Sequence, residues 1–192
     1  MATDQLRRWL VEEVTSARGR LAGGVLGHLP VEEMAVHADG GGIPAGYVLW
    51  HLARHHDLAV NAVLRGRDQV IVDHLDALGV SDRLHRGLSE SADVELVEIL
   101  DLEAVAAYAL ASLDSTVAWL TNGAPIDDLD EVPDSVEILG SAGVPPEEFA
   151  WLYQMWEGKP RRWFLSWSAI GHVVTHTGEL VSIRNRLGHS PF

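Results

Sequence analysis

Apolar residues recur along this chain at intervals of three and four, the spacing of a helix, and seldom alternate as a strand requires. Leu6, Leu10, Val14, Ala17 and Leu21 mark a first helix from about Asp4 to Leu26. The stretch ADGGGIPAG (38–46) breaks the pattern. Pro44 then suits the first turn of a second helix over about 45–64, which stops at Gly66. A third helix is predicted over about 101–121, with Asp101 as N-cap and Gly123 as stop, and a fourth over about 161–187, ending before Gly188. The polar stretch 65–100 carries short helical pieces, VIVDHLDAL and DVELVEIL. Residues 124–160 read as an insertion, acidic and proline-punctuated at first (APIDDLDEVPDS), then forming a short helix, EEFAWLYQMWEG. The pattern predicts an all-α protein: one domain over 1–192, a four-helix bundle with additional short helices in its connections and an insertion at about 124–160.

Composition narrows the chemistry. The chain has 14 basic and 28 acidic residues, a net charge of −14, which argues against nucleic acid as a partner because phosphate binding rests on Lys and Arg. Arg7, Arg8, Glu12 and Glu13 interrupt the N-terminal region where a signal peptide needs an apolar run. No run reaches the roughly 18 uninterrupted apolar residues of a membrane span. The expectation is a cytoplasmic protein with no membrane partner. There is no cysteine, so thiolate nucleophiles, disulfides and cysteine-ligated metals are excluded. Ten histidines remain, and a transition metal would have to be held by imidazole and carboxylate.

Two H-x-x-x-H pairs occur, His51/His55 and His172/His176, where random placement gives roughly half of one. On a helical projection with His172 at the origin, Leu165, Ala169, Val173, His176, Leu180, Ile183 and Leu187 fall within about 100° of one another, so both histidines lie in the apolar stripe. His51 and His55 share the inward face of the second helix with Val48, Leu52, Ala59 and Ala62, while Arg54, Asp57 and Asn61 face the other way and His56 turns aside. A single inward histidine is ordinarily a hydrogen-bonded core residue. Four converging imidazoles are harder to satisfy, since each unpartnered buried polar group costs on the order of 1–3 kcal/mol, and a divalent cation satisfies several at once.

The segment VLWHLARHHD on the second helix, followed by HVVTHTGEL and then RNRLG on the fourth, resembles the DinB-like (damage-inducible) superfamily of metal-binding four-helix bundles. That superfamily includes thiol-dependent S-transferases and mycothiol-dependent maleylpyruvate isomerases. The resemblance implies His51, His172 and His176 as metal ligands, zinc or nickel as the ion, and transfer of a small-molecule thiol to an electrophilic substrate. The 124–160 insertion has no counterpart in it. His55 and Glu179, one turn beyond the ligands, are candidates for orienting them or moving a proton, or else for ordinary polar packing. Tyr108 and Ser112 on the third helix could reach the site, but nothing in the sequence places them there. His28, His37, His74, His85 and His189 are expected in solvent. Trp163, Trp167, Ile170 and Val174 form a second apolar face at about 180–220° from His172, read as core or dimer packing rather than a substrate wall, and a homodimer is expected. A non-catalytic metal-binding bundle and a metal-dependent hydrolase are the alternatives.

Overall fold

The computed structural model describes residues 2–80, 86–90 and 92–192, and among these residues it is all-helical, with no strand. Its helices are α1 (Ala2–Gly19), α2 (Ala45–Asp57), α3 (Leu75–Leu78), α4 (Leu102–Thr121), α5 (Ser135–Ser141), α6 (Ala150–Trp156), α7 (Arg161–Trp163) and α8 (His172–Arg186). Wider π-helical turns lengthen three of them. Arg20–Leu26 continues α1, Leu58–Leu64 continues α2, and Phe164–Gly171 joins α7 to α8 as one rod. The four long rods lie where apolar spacing puts them. Asp101 caps α4 by accepting from the Ala104 amide at 2.9 Å, and Gly123, at φ 94°, follows its end.

α2 packs on both α4 and α8, and α1 packs on α4. α4 is long and apolar enough to cross a membrane by length and composition, but here it buries Val105, Tyr108, Ala109, Leu113 and Leu120 inside the protein. One apolar cluster gathers Leu21, Trp50, Tyr108, Val173 and Leu180. A second is built in part by the 124–160 segment, whose Ile126, Leu139, Leu152 and Trp156 pack with Leu10, Leu58, Leu120 and Phe164. The insertion is therefore core, not appendage. Its short helix α6 falls inside the predicted EEFAWLYQMWEG; α5 was not anticipated, although Asp134 and Glu137 give it a capping signature, with the Asp134 carboxylate accepting from the Glu137 amide at 3.0 Å.

The second helix departs most from expectation. Every residue from Ala45 to Leu64 is buried, so the side predicted to be polar has no contact with water. Arg54, Asp57, Asn61 and His56 do face away from His51, yet into protein, because the 65–100 connection and α4 cover them. The Asp57 carboxylate accepts from the Val70 and Ile71 amides (both 2.9 Å), from Asn61 Nδ2 (2.7 Å) and from the Tyr108 hydroxyl (2.8 Å), with Arg54 Nη1 at 3.8 Å. Arg54 Nη1 donates to the Tyr108 oxygen at 3.0 Å. Burial holds the Tyr108 phenol well above its usual pKa, keeping it a donor. His56 Nε2 meets Thr116 Oγ1 at 2.8 Å.

Asp57→Ala removes the acceptor for four donors and leaves Arg54 as a buried charge. A loss of about 3–5 kcal/mol is expected by urea unfolding, against about 1–2 kcal/mol for Asn61→Ala. Equal, small losses would show that the network contributes little.

Candidate metal centre

His51 projects from the middle of α2, His172 opens α8, and His176 follows one turn later. One ligand atom from each of the three lies within 4.8 Å of the others. His172 Nε2 and His176 Nε2 are 3.1 Å apart. His51 and His176 are buried, while His172 is partly exposed at the edge of the group. The His55 ring packs 4.6 Å from His51 and 5.0 Å from His172, but its Nε2 is committed elsewhere.

That commitment belongs to a strap of backbone laid along α2. Four consecutive carbonyls each accept from a different α2 side chain. Arg86 O takes Trp50 Nε1 at 2.9 Å, Gly87 O takes His51 Nδ1 at 3.1 Å, Leu88 O takes His55 Nε2 at 2.6 Å, and Ser89 O takes the Tyr47 hydroxyl at 2.7 Å. A carbonyl only accepts, so each of these ring nitrogens carries the hydrogen, and His51 is left with a bare Nε2 lone pair. Asp93 anchors the strap by accepting from the Gly87 amide (2.9 Å) and the Arg86 guanidinium (2.9 Å), which also pairs with Glu95. Gly87 takes φ 79°, and a Cβ there would lie 2.3 Å from Trp50 Nε1. Only glycine fits.

On α8 the Glu179 carboxylate lies 2.9 Å from His176 Nδ1. It fixes the hydrogen on Nδ1 and frees Nε2 toward His172. Two of the three candidate ligands thus have the outer hydrogen bond that orients a metal-binding imidazole. His172 Nδ1 is buried and has no partner among the described residues.

Burial keeps the imidazoles uncharged. It lowers the pKa of His51 to about 2, helped by His55 and His176, and lowers that of His55 and of His56 to about 4. His172 is pushed far down by burial and then by the neighbouring histidines. Each of these four rings is uncharged at neutral pH, with one N–H and one free lone pair. The 3.1 Å gap between the α8 nitrogens is near the roughly 3.3 Å edge of a tetrahedron with metal–nitrogen bonds of about 2.0–2.1 Å. The donor set therefore fits a divalent ion of the kind that imidazole favours.

Two small cavities flank the group. One, of about 100 Å³, is lined by His51, His55 and His172 with Trp151, Trp156 and Trp167; the other, of about 160 Å³, by His51, His176, Thr175 and Glu179. Glu90 lines both. Sequence reasoning missed Glu90 and Trp151, and nothing local signals that their segments fold over the histidines. Trp167 was placed on another face. The π-helical turn corrects it: with i to i+5 bonding each residue advances roughly 80° instead of 100°, which brings Trp167 about 100° round toward His172 over five residues. Its ring centroid is 6.2 Å from that of His172, beside Gly171, where no side chain blocks it. Trp163 packs instead on Phe164 at 5.1 Å, and Ile170 is half-buried. Tyr108 and Ser112 do not line either cavity.

Of the remaining histidines, His28 and His37 are exposed, with His37 Nδ1 donating to Gly42 O at 2.7 Å. His189 Nε2 is 2.9 Å from Glu33, and His74 is half-buried with its ring 5.7 Å from Tyr108. His85 lies outside the described residues. No protein-family model, curated protein or solved structure matches the chain.

Because the folded protein resists protonating His51, His55 and His56 while the unfolded chain takes up these protons near pH 6.5, metal-free protein should lose stability as pH falls from about 6.5 toward 4. By pH 5 the loss is on the order of 2 kcal/mol for each such histidine; urea midpoints that do not move between pH 7.5 and 5 would contradict it. Gly87→Ala should cost at least about 2 kcal/mol through positive φ and overlap with Trp50, a loss that Ser89→Ala should not reproduce.

Proposed function

We propose that the protein is a divalent-metal-dependent enzyme that transfers a low-molecular-weight thiol to a small electrophile, on a DinB-like four-helix bundle with added short helices. The observation that carries the metal reading is the trio of imidazoles, His51, His172 and His176, two of them oriented by Gly87 O and Glu179. The thiol reading rests on the resemblance of VLWHLARHHD and HVVTHTGEL to that superfamily. A bound zinc or nickel ion supplies a Lewis acid that makes a thiol or water acidic near neutral pH.

The protein's own groups account for the rest. His51, His172 and His176 would hold the ion, with the two flanking cavities beside it for the reactants. Trp151, Trp156 and Trp167 wall the smaller cavity, excluding water and offering aromatic faces to an apolar electrophile. Glu90, the carboxylate common to both cavities, is placed to accept the proton that a thiol gives up. The same placement favours a second reading, hydrolysis, in which Glu90 takes a proton from water. A non-catalytic metal-binding bundle is the outcome if neither reaction occurs. Assembly as a homodimer is part of the proposal, with Trp167 on the Phe164–Gly171 turns and Val174 on α8 exposed for such a contact.

Purified protein should carry about one zinc or nickel per chain, lost in His172→Ala and in His176→Ala by elemental analysis; full occupancy in both would point to other ligands. Native and chelator-stripped protein should differ in conjugating monochlorobimane with mycothiol, bacillithiol or glutathione. Equal rates would end the transferase reading, and ester or amide cleavage without thiol would establish the hydrolase. Glu179→Gln and Glu90→Gln should each lower the rate by roughly 10–100-fold.

A further inference from the structure

A separate cleft opens beside the end of the π-helical extension of α2 and the C-terminus of α4. It has a volume of about 650 Å³ and is lined by Arg65, Arg67, Arg161, Ser115, Trp119 and Asn122, among others. Leu64, at its edge, is on the order of 15–20 Å along the helix from His51. Three cations meeting in one cleft run against the charge of a chain that carries −14 overall.

Each arginine is placed differently. Arg65 is braced: Nη1 donates to Asn61 Oδ1 (2.5 Å) and Ser115 Oγ (2.7 Å), and its guanidinium lies 5.7 Å over the Trp119 ring. Its Nε is buried without a partner. Arg67 is exposed, and its guanidinium has no hydrogen-bonded or ionic partner among the described residues. Arg161 donates Nη2 to Leu64 O at 3.0 Å and pairs through Nη1 with the exposed Glu131 at 3.1 Å. No acidic side chain among the described residues pairs with Arg65 or Arg67. Burial, and then the neighbouring charge of Arg67, lower the Arg65 pKa, with Asp57 opposing them only in part. Compensation of the α4 dipole does not account for them, because none of the three donates to the last carbonyls of α4.

Two guanidinium forks two residues apart, neither in an ion pair among the described residues, with the Ser115 hydroxyl and the Asn122 amide beside them, suit an oxyanion with two negative charges. The volume is that of a small-molecule site, and Trp119 offers an apolar wall to a carbon skeleton. We propose that this cleft binds a small organic dianion, a phosphate or a dicarboxylate, held by Arg65 and Arg67.

The test is isothermal titration calorimetry on the full chain stripped of metal, so that no anion binds through an ion at the histidines. The probes are pyrophosphate, inorganic phosphate and succinate at matched ionic strength in chloride. Saturable binding of at least one probe is expected, at one per chain. It should weaken at least tenfold in Arg67→Gln, whose side chain supports nothing in the fold, and remain unchanged in His172→Ala. Binding of the phosphates without succinate identifies a phosphate ligand, and the reverse a dicarboxylate. No saturable binding by any probe, or equal affinity in Arg67→Gln, would overturn the proposal whatever the histidines do.

Discussion

Helix α2 and its π-helical extension are buried at every residue from Ala45 to Leu64, although six of those twenty residues are histidine, arginine, aspartate or asparagine. A buried polar group without a partner costs on the order of 1–3 kcal/mol, and a buried charge costs more. The rest of the structure follows from meeting that demand. The connection after α2 returns along it twice, first with the amides of Val70 and Ile71 for Asp57, then with the carbonyls of Arg86 to Ser89 for Trp50, His51, His55 and Tyr47. α4 contributes Tyr108 and Thr116. Among the described residues, His56 Nδ1 on this helix and His172 Nδ1 on α8 are still buried without a hydrogen-bond partner.

The same burial links fold to chemistry. Imidazoles packed ring to ring, with centroids 4.4–5.2 Å apart, cannot all be charged, and their low pKa values leave lone pairs free at neutral pH. Without a ligand such a cluster works against stability in acid. A cation bound only by the folded arrangement would offset that cost and couple occupancy to folding. Glu179 and the strap carbonyls then serve two purposes, satisfying ring N–H groups and aiming the opposite nitrogens inward.

The connections are as much a part of the site as the long helices. Trp151 and Trp156 arrive on α6, Glu90 on the strap, and Trp167 through the π-helical turn ahead of His172. π-helical turns gather where a helix must present side chains at angles a regular α-helix does not allow. The cleft of Arg65, Arg67 and Arg161 has a similar origin, since it forms where the end of the α2 extension meets the start of the α7–α8 rod and the end of α4.

Sequence alone determined the long helices, because apolar spacing and terminal signals such as Asp101, Gly123 and Gly188 act within a few residues. It also determined that His51, His172 and His176 point inward, since a helix of known period fixes relative angles on each face. It did not determine the environment of the opposite face of α2. Arg54, Asp57 and Asn61 read only as a stripe facing away from His51, and a polar stripe looks the same whether water or another segment covers it. Glu90, Trp151 and the four strap carbonyls were equally out of reach, being brought to the histidines by contacts between segments far apart in the chain. Trp167 was misplaced because one change of helical pitch rotates every residue beyond it, and nothing in the local pattern announces that change. Periodicity fixes angles within an element; which elements cover which faces is decided by packing.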